Sequence, residues 1–322
     1  MATKSERDFE NALLRNYELK SSLWGKISEA MVMTSLVACG VFSLAITVGI
    51  IVLLASQSIG FFNNADLAID PFTFLTDTRW TIGQTQGTPR YGILPLVSGT
   101  FRITGIAMVI SLPIGLICAI YLSEYATPRV RSILKPTLEI LAGIPTVVLG
   151  FFAIKFITPY VLQSMGDFKT FNAASAGIAV GILCLPLVTS LAEDALRAVP
   201  DSLREGAYGL GSTRLEVTLK VVVPAALSGI ISAFLLALSR AIGETMVVAL
   251  AAGSTPTFTA DPRGPSQTMT GFIVETFQSE SLEPDSIGYY SMYAVAAVLF
   301  VFTFTITLIG QLIRMRYQEV YS

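Results

Sequence analysis

The chain has no histidine among its 322 residues and only three cysteines. Without histidine, Ser-His-Asp and Cys-His catalysis are excluded, as is every His-containing metal site. Cys39, Cys118 and Cys184 all lie within apolar runs, at spacings that match no zinc motif. They read as small buried hydrophobes. Charge is scarce as well: Asp, Glu, Lys and Arg make up 14% of the chain, where soluble domains carry about a quarter. The net charge of −2 provides no basic field for nucleic acid. No G-x-x-x-x-G-K-[ST] sequence occurs, so the chain does not bind ATP by that route.

Apolar sequence fills the space that charge leaves. The chain is 52% hydrophobic, with a mean hydropathy of +0.65. A membrane span needs about 20 apolar residues. Uninterrupted or nearly uninterrupted runs predict six helices, near 30–56, 96–122, 136–163, 172–196, 222–252 and 287–313. The fold class expected is therefore all-α, a polytopic membrane helix bundle. Residues 1–29 are charged and no small-residue cleavage site follows a short apolar core, so the first run reads as an uncleaved signal anchor.

Orientation follows from the loops. With an even number of spans, both tails share one side. That side carries fourteen Lys and Arg: five in the N-terminal tail, then Arg129, Arg131, Lys135, Arg197, Arg204, Arg214, Lys220, Arg314 and Arg316. The other side carries four, Arg79, Arg90, Lys169 and Arg263. The excess predicts that both tails and the 197–221 loop are cytoplasmic. The loops 57–95 and 253–286, rich in Gly, Pro, Thr and Asp, read as a surface that caps the bundle or receives a partner. Pro113, Pro145, Pro186 and Pro224 fall within or beside spans and predict bends.

The most informative stretch is EGAYGLGSTRLEVTLKVVVP, Glu205 to Pro224. Pro200 suits a first helical turn, and Ser202-x-x-Glu205 has capping-box spacing. Gly209 and Gly211 predict a break, with positive φ and close approach as reasons for glycine at 211. Thr213-x-x-Glu216 has capping-box spacing and predicts a second helix. The shape expected is helix, glycine turn, helix, leading into the fifth span at Pro224.

Charges inside spans cost a few kcal/mol each and are functional candidates. Arg240 and Glu244, in ALSRAIGETMVVAL, stand at i,i+4, which predicts one helix face and an ion pair. A guanidinium also suits a tetrahedral oxyanion. Arg102 and Lys155 fall near the outer ends of their spans, within reach of the interface. Arg102 is also a candidate contact for an anion at the outer mouth. Glu139 has Lys135 at i−4 as a candidate partner.

The spacing of Glu205, Ala207, Gly211, Val221, Val223 and Pro224 resembles the EAA loop of ABC importer permeases, although Gly206 stands where that pattern commonly has alanine. The segments YLSEYATP (121–128), LEILAGIPTVVLGFFA (138–153) and LSRAIGETMVV resemble permeases of the PstC type from phosphate importers. The resemblance covers most of 90–314. It implies a MetI-like five-helix core at 96–314, preceded by an extra helix at 30–56 and a loop at 57–95, with a short tail at 315–322. It implies a loop, 197–221, that docks on an ATPase through Ser202, Glu205, Ala207, Gly211, Arg214 and Pro224. Arg240 and Glu244 would act in the translocation path. Partners implied are a PstA-like second permease, two ATPase subunits that bind the ATP and Mg, and a periplasmic phosphate-binding protein. No cofactor is expected in this chain. Sulfate and molybdate remain open, since Arg240 attracts any such oxyanion. An ion-coupled transporter using Glu244 as a proton site would leave the EAA-like loop a coincidence.

Overall fold

The computed structural model describes residues 23–63, 69–81, 90–279 and 286–316. The chain divides into two units, the first ending at Ala55 and the second beginning at Ser56. Within the described residues the first unit is helical throughout. It is the leading part of α1 (Leu23–Phe62), which starts before the expected residue 30. Its large apolar side chains, Met31, Leu36, Phe42 and Leu44 among them, are exposed. A soluble fold would bury such a run, whereas lipid accepts it. The parts of both tails expected at 1–22 and 317–322 lie outside the described residues.

The second unit is helical with one isolated antiparallel bridge, Trp80 to Tyr91, among the described residues. Asp70 caps α2 (Pro71–Thr76), with proline at the first helical position. α3 (Leu94–Tyr125) and α6 (Ala173–Arg197) form the centre. They approach closely because a glycine on each makes room for a branched side chain of the other. A Cβ on Gly177 would stand 2.7 Å from the Ile106 side chain, and one on Gly115 2.6 Å from Val188. Between membrane helices, such packing supplies the attraction that the hydrophobic effect supplies in water. The core around them holds Ile103, Ala107, Val180, Cys184 and Val188. A second cluster, rich in aromatic rings, joins Phe61, Phe74, Trp80 and Tyr91 to Leu96 and to Phe272 on α11 (Met269–Gln278). Its rings meet edge to face, as in the Trp80–Phe272 pair at 4.9 Å.

Among the described residues, five helices are long and apolar enough to cross a membrane: Ile27–Phe62 within α1, then α3, α5 (Thr146–Met165), α6 and α12 (Ile287–Arg316). A bent pair makes the sixth. Two expected spans need correction. The run 136–163 is not one helix. α4 (Pro128–Ala142) starts at a Thr127 cap, and α5 starts after Pro145. The residue before a proline is driven out of the helical region, which explains the break at Gly143–Pro145. The run 222–252 is also broken. The helical stretch Arg214–Ala225 meets α9 (Leu227–Ile242) at 69°. Pro224 and the π-helical turn Thr218–Val222 just before it account for the bend. α9 then stops at Gly243, and α10 (Met246–Ala251) follows. Sixteen residues span about 24 Å, less than a hydrocarbon core of about 30 Å.

Candidate functional site

The glycine turn and the helices around it take the expected shape. α7 (Asp201–Gly209) ends in a Schellman motif. The Ser212 amide donates to the Ala207 carbonyl and the Gly211 amide to that of Tyr208. Gly211 has φ +84°, which explains the glycine. Close approach does not, because nothing lies within 4 Å of where its Cβ would be. α8 (Arg214–Val217) opens on a complete capping box, with Thr213 and Glu216 bonded reciprocally. The first box is corrected: α7 begins at Asp201 after Pro200, and Ser202 makes no cap. Ser202, Glu205, Gly206 and Tyr208 are exposed on α7, whereas Ala207 is buried. Ala207 packs with Leu196, Val217 and Val222. The loop thus has one face anchored and one face free.

Beneath this loop lies a charge network that the sequence did not reveal. Glu193, near the end of α6, is fully buried. Its carboxylate meets Arg131 at 2.6 Å, Lys135 at 3.3 Å and Arg197 at 3.9 Å. Lys135 also reaches Asp194, so the expected Lys135–Glu139 pair is replaced by a bridge from α4 to α6. Glu124 accepts from Arg204 of α7 at 3.2 Å. Arg204 also donates to the carbonyls of Leu196 and Val199. Glu124, Arg131, Lys135, Arg197 and Arg204 line a cavity of about 960 Å³ beside α4 and α7. One signal was available in the sequence. Arg131 and Lys135, and Glu193 and Arg197, are each spaced i,i+4 on helices, which puts complementary pairs on two faces.

Arg240 and Glu244 do not form the expected ion pair. The i,i+4 argument assumes one continuous helix, and α9 ends between them. Arg240 stands in the last turn of α9, where a cation complements the helix dipole. Its side chain is exposed, and among the described residues no carboxylate lies within ion-pairing distance of it. Glu244 is buried. Its carboxylate accepts from the Val247 amide at 3.2 Å, satisfying a free donor at the start of α10. Its carbonyl accepts from Thr270. Both charges remain within electrostatic reach of the buried Cys184 thiol on α6. The break therefore sets a free cation and a fixed carboxylate four residues apart inside a span.

Arg102, on α3, is committed to protein. Its guanidinium donates to the carbonyls of Thr259 and Asp261 at 2.7 and 2.8 Å and to the Ser266 hydroxyl at 2.6 Å. The same loop feeds the first amides of α6: Ala173 donates to the Gly264 carbonyl and Ala174 to that of Pro262. Arg263 hydrogen bonds hold the Asp261 carboxyl below its ordinary range. Lys155 is exposed on α5. Among the described residues no cluster of three or more Cys, Asp or Glu is placed to hold a metal.

The family described as "binding-protein-dependent transport system inner membrane component" matches residues 111–318. A probable ABC transporter permease, YqgH of Bacillus subtilis, is 32% identical over 84% of this chain and 86% of its own. The phosphate transport system permease PstC of Mesorhizobium japonicum is 29% identical over 98% of this chain and 95% of its own. A bacterial ABC transporter involved in alginate import superposes with a TM-score of 0.64 at 15% identity, covering 92% of this chain and 99% of that one. The broken spans and the capped, glycine-turned loop are thus set in a MetI-like permease architecture. The chain belongs to the inner membrane components of binding-protein-dependent transport systems and is an ABC importer permease.

Proposed function

We propose that this permease carries phosphate, as one of two membrane subunits in an ATP-driven importer. The supporting observation is the end-to-end similarity to a phosphate permease, over 98% of this chain, combined with an arginine inside a span, Arg240, that makes no ion pair among the described residues. Both tails and the 197–221 loop face the cytoplasm, on the side with fourteen of the loop cations. The exposed face of α7, with Ser202 and Glu205, docks on one of two ATPase subunits, which bind the ATP and Mg. Ala207, Gly211 and Pro224 shape that element and Arg214 fastens it. A PstA-like second permease completes the pathway, and a periplasmic binding protein delivers phosphate. The chain itself carries no cofactor and makes no covalent change to its substrate.

The transport chemistry is differential stabilisation of two conformations. Arg240 is the mobile countercharge for the anion. Phosphate carries oxygens in the geometry that a guanidinium fork accepts. Glu244 limits how tightly the anion sits, because a fixed carboxylate four residues away opposes it. Arg102 acts at the outer mouth by holding the loop that borders it, rather than by touching the anion, since both Nη nitrogens donate to protein acceptors and Nε is buried.

The test is ATP-dependent uptake of radiolabelled phosphate into proteoliposomes that hold this chain, its co-purified partners and a binding protein. Excess sulfate or molybdate is added as competitor. Uptake that sulfate and molybdate leave unchanged is the expected result. An ATP-hydrolysing complex that takes up sulfate or molybdate and no phosphate would overturn the substrate. It would leave the importer reading in place.

A further inference from the structure

The stretch YLSEYATP took no role from its resemblance, yet the structure builds a joint from it. α3 closes in a π-helical turn at Tyr121–Tyr125. Glu124, at the end of this turn, keeps only 7% of its side chain exposed. Its Oε1 accepts from Arg204 at 3.2 Å and from the Ser123 hydroxyl at 2.9 Å. Arg204 is itself 15% exposed and belongs to α7. With its other donors it holds the Leu196 carbonyl at 2.8 Å, the Val199 carbonyl at 2.5 Å and, within α7, the Asp201 carboxylate at 3.1 Å. The main-chain carbonyl of Glu124 accepts from Arg214, whose guanidinium lies over the Tyr125 ring at 4.8 Å. Both helices of the docking loop are thereby fastened to one residue at the end of α3.

We propose that Glu124 is a positioning residue for energy coupling. It fixes the docking helix α7 to α3, so that displacement of the loop moves α3 as well as the two helices to which the loop is covalently joined. This rests on the importer reading above. Apolar contacts through Ala207, Leu196 and Ala119 hold α7 near α3, but such contacts are non-directional and permit sliding. A charge-assisted bond from a guanidinium is directional and fixes the helix about its own axis. The Glu193 network does not duplicate this function, because its cations come from α4 and α6.

The experiment uses the complete complex in proteoliposomes, with wild type, Glu124→Gln, Arg204→Met and the double variant. ATP hydrolysed per phosphate imported is measured in each. Glu124→Gln retains the main-chain acceptor for Arg214 and removes the charge that α3 presents to Arg204, leaving the Asp201 contact within α7 in place. The ratio is expected to rise several-fold in each single variant while hydrolysis persists. It is expected to rise no further in the double, as for two residues acting as a unit. Arg90→Ala, which removes an exposed contact to Asp77, serves as the control and retains the wild-type ratio. A wild-type ratio in Glu124→Gln, or single effects that add in the double, would overturn the proposal. Should Glu124→Gln fail to assemble, Arg204→Lys, which keeps the charge but loses the fork, takes its place with the same expected rise. A wild-type complex that hydrolyses ATP but imports no phosphate would sink the phosphate reading alone. Coupling is then read as stimulation of hydrolysis by the binding protein: its loss in Glu124→Gln supports the positioning role, and its retention overturns it.

Discussion

Two arginines inside the spans of this permease have opposite surroundings. Arg102 spends its guanidinium on two carbonyls and a hydroxyl. Arg240 has no ion-pair partner among the described residues and is exposed. In the sequence both are candidate contacts for an anion. Their surroundings separate a cation that maintains the fold from one that is available to a ligand. The same contrast holds on a larger scale. At the ends of α6 and α3, Glu193 and Glu124 are buried with their cations already in place. At the α9–α10 break, Glu244 is buried against a backbone amide and leaves Arg240 alone. A buried network with matched charges resists change, whereas an unmatched charge in a membrane marks a pathway.

The contrast can be broken most forcefully at the matched end. Glu193→Gln leaves Arg131, Lys135 and Arg197 facing a neutral group. Removing one partner of a buried ion pair costs about 3 kcal/mol, moderated here because the cations are partly exposed. Thermal unfolding in detergent should show a clearly lowered midpoint; an unchanged midpoint would mean that solvent screens the network. Arg102→Met is next. Losing bonds from a charged donor costs about 1.5–3 kcal/mol, and the loss should appear as faster hydrogen exchange over 259–266. Exchange that stays slow there would separate Arg102 from the loop. Gly211→Ala sets an L-residue at φ +84°, a strain of about 1–2 kcal/mol. Its effect should appear in exchange over 201–217 and leave α9 unchanged. The smallest effect concerns acid. Asp261 titrates below its ordinary value because Arg263 bonds to it. A depressed folded-state pKa gives stability that is present above the unfolded value and lost as pH falls through the folded one. The 259–266 loop should therefore be insensitive to pH from 7 down to about 4 and loosen only below that. Loosening between pH 5 and 7 would point to a different group.

Much of this could be read from the residues. Apolar runs placed the spans, because lipid tolerates little else. The Thr213 box and the glycine turn were legible, because capping is a local event between residues three apart. Ser202 had the same spacing and failed, because α7 begins at Asp201, two residues too early for Ser202 to cap it. The pairing of Arg240 with Glu244 also failed for a local reason. Spacing of i,i+4 carries meaning only along an unbroken helix, and Gly243 ends α9 between them. The network around Glu193 was only faintly legible, for a different reason. Its partners Arg131 and Lys135 are about sixty positions away in the chain, and only tertiary packing brings them to it. Composition likewise cannot reveal that Arg102 is occupied, since its acceptors are mainly backbone carbonyls more than 150 residues away.

The contrast between Arg240 and Arg102 is tested most directly by Arg240→Gln, measured for stability and for phosphate uptake in the same assembled complex. Arg240 makes no ion pair among the described residues, so the account predicts a loss of stability within about 1 kcal/mol, the worth of a cation at a helix end. It predicts that uptake falls about tenfold or more, as expected for one lost charge-assisted bond to the anion. Full uptake in Arg240→Gln, or a fall in uptake matched by an equal loss of stability, would contradict it.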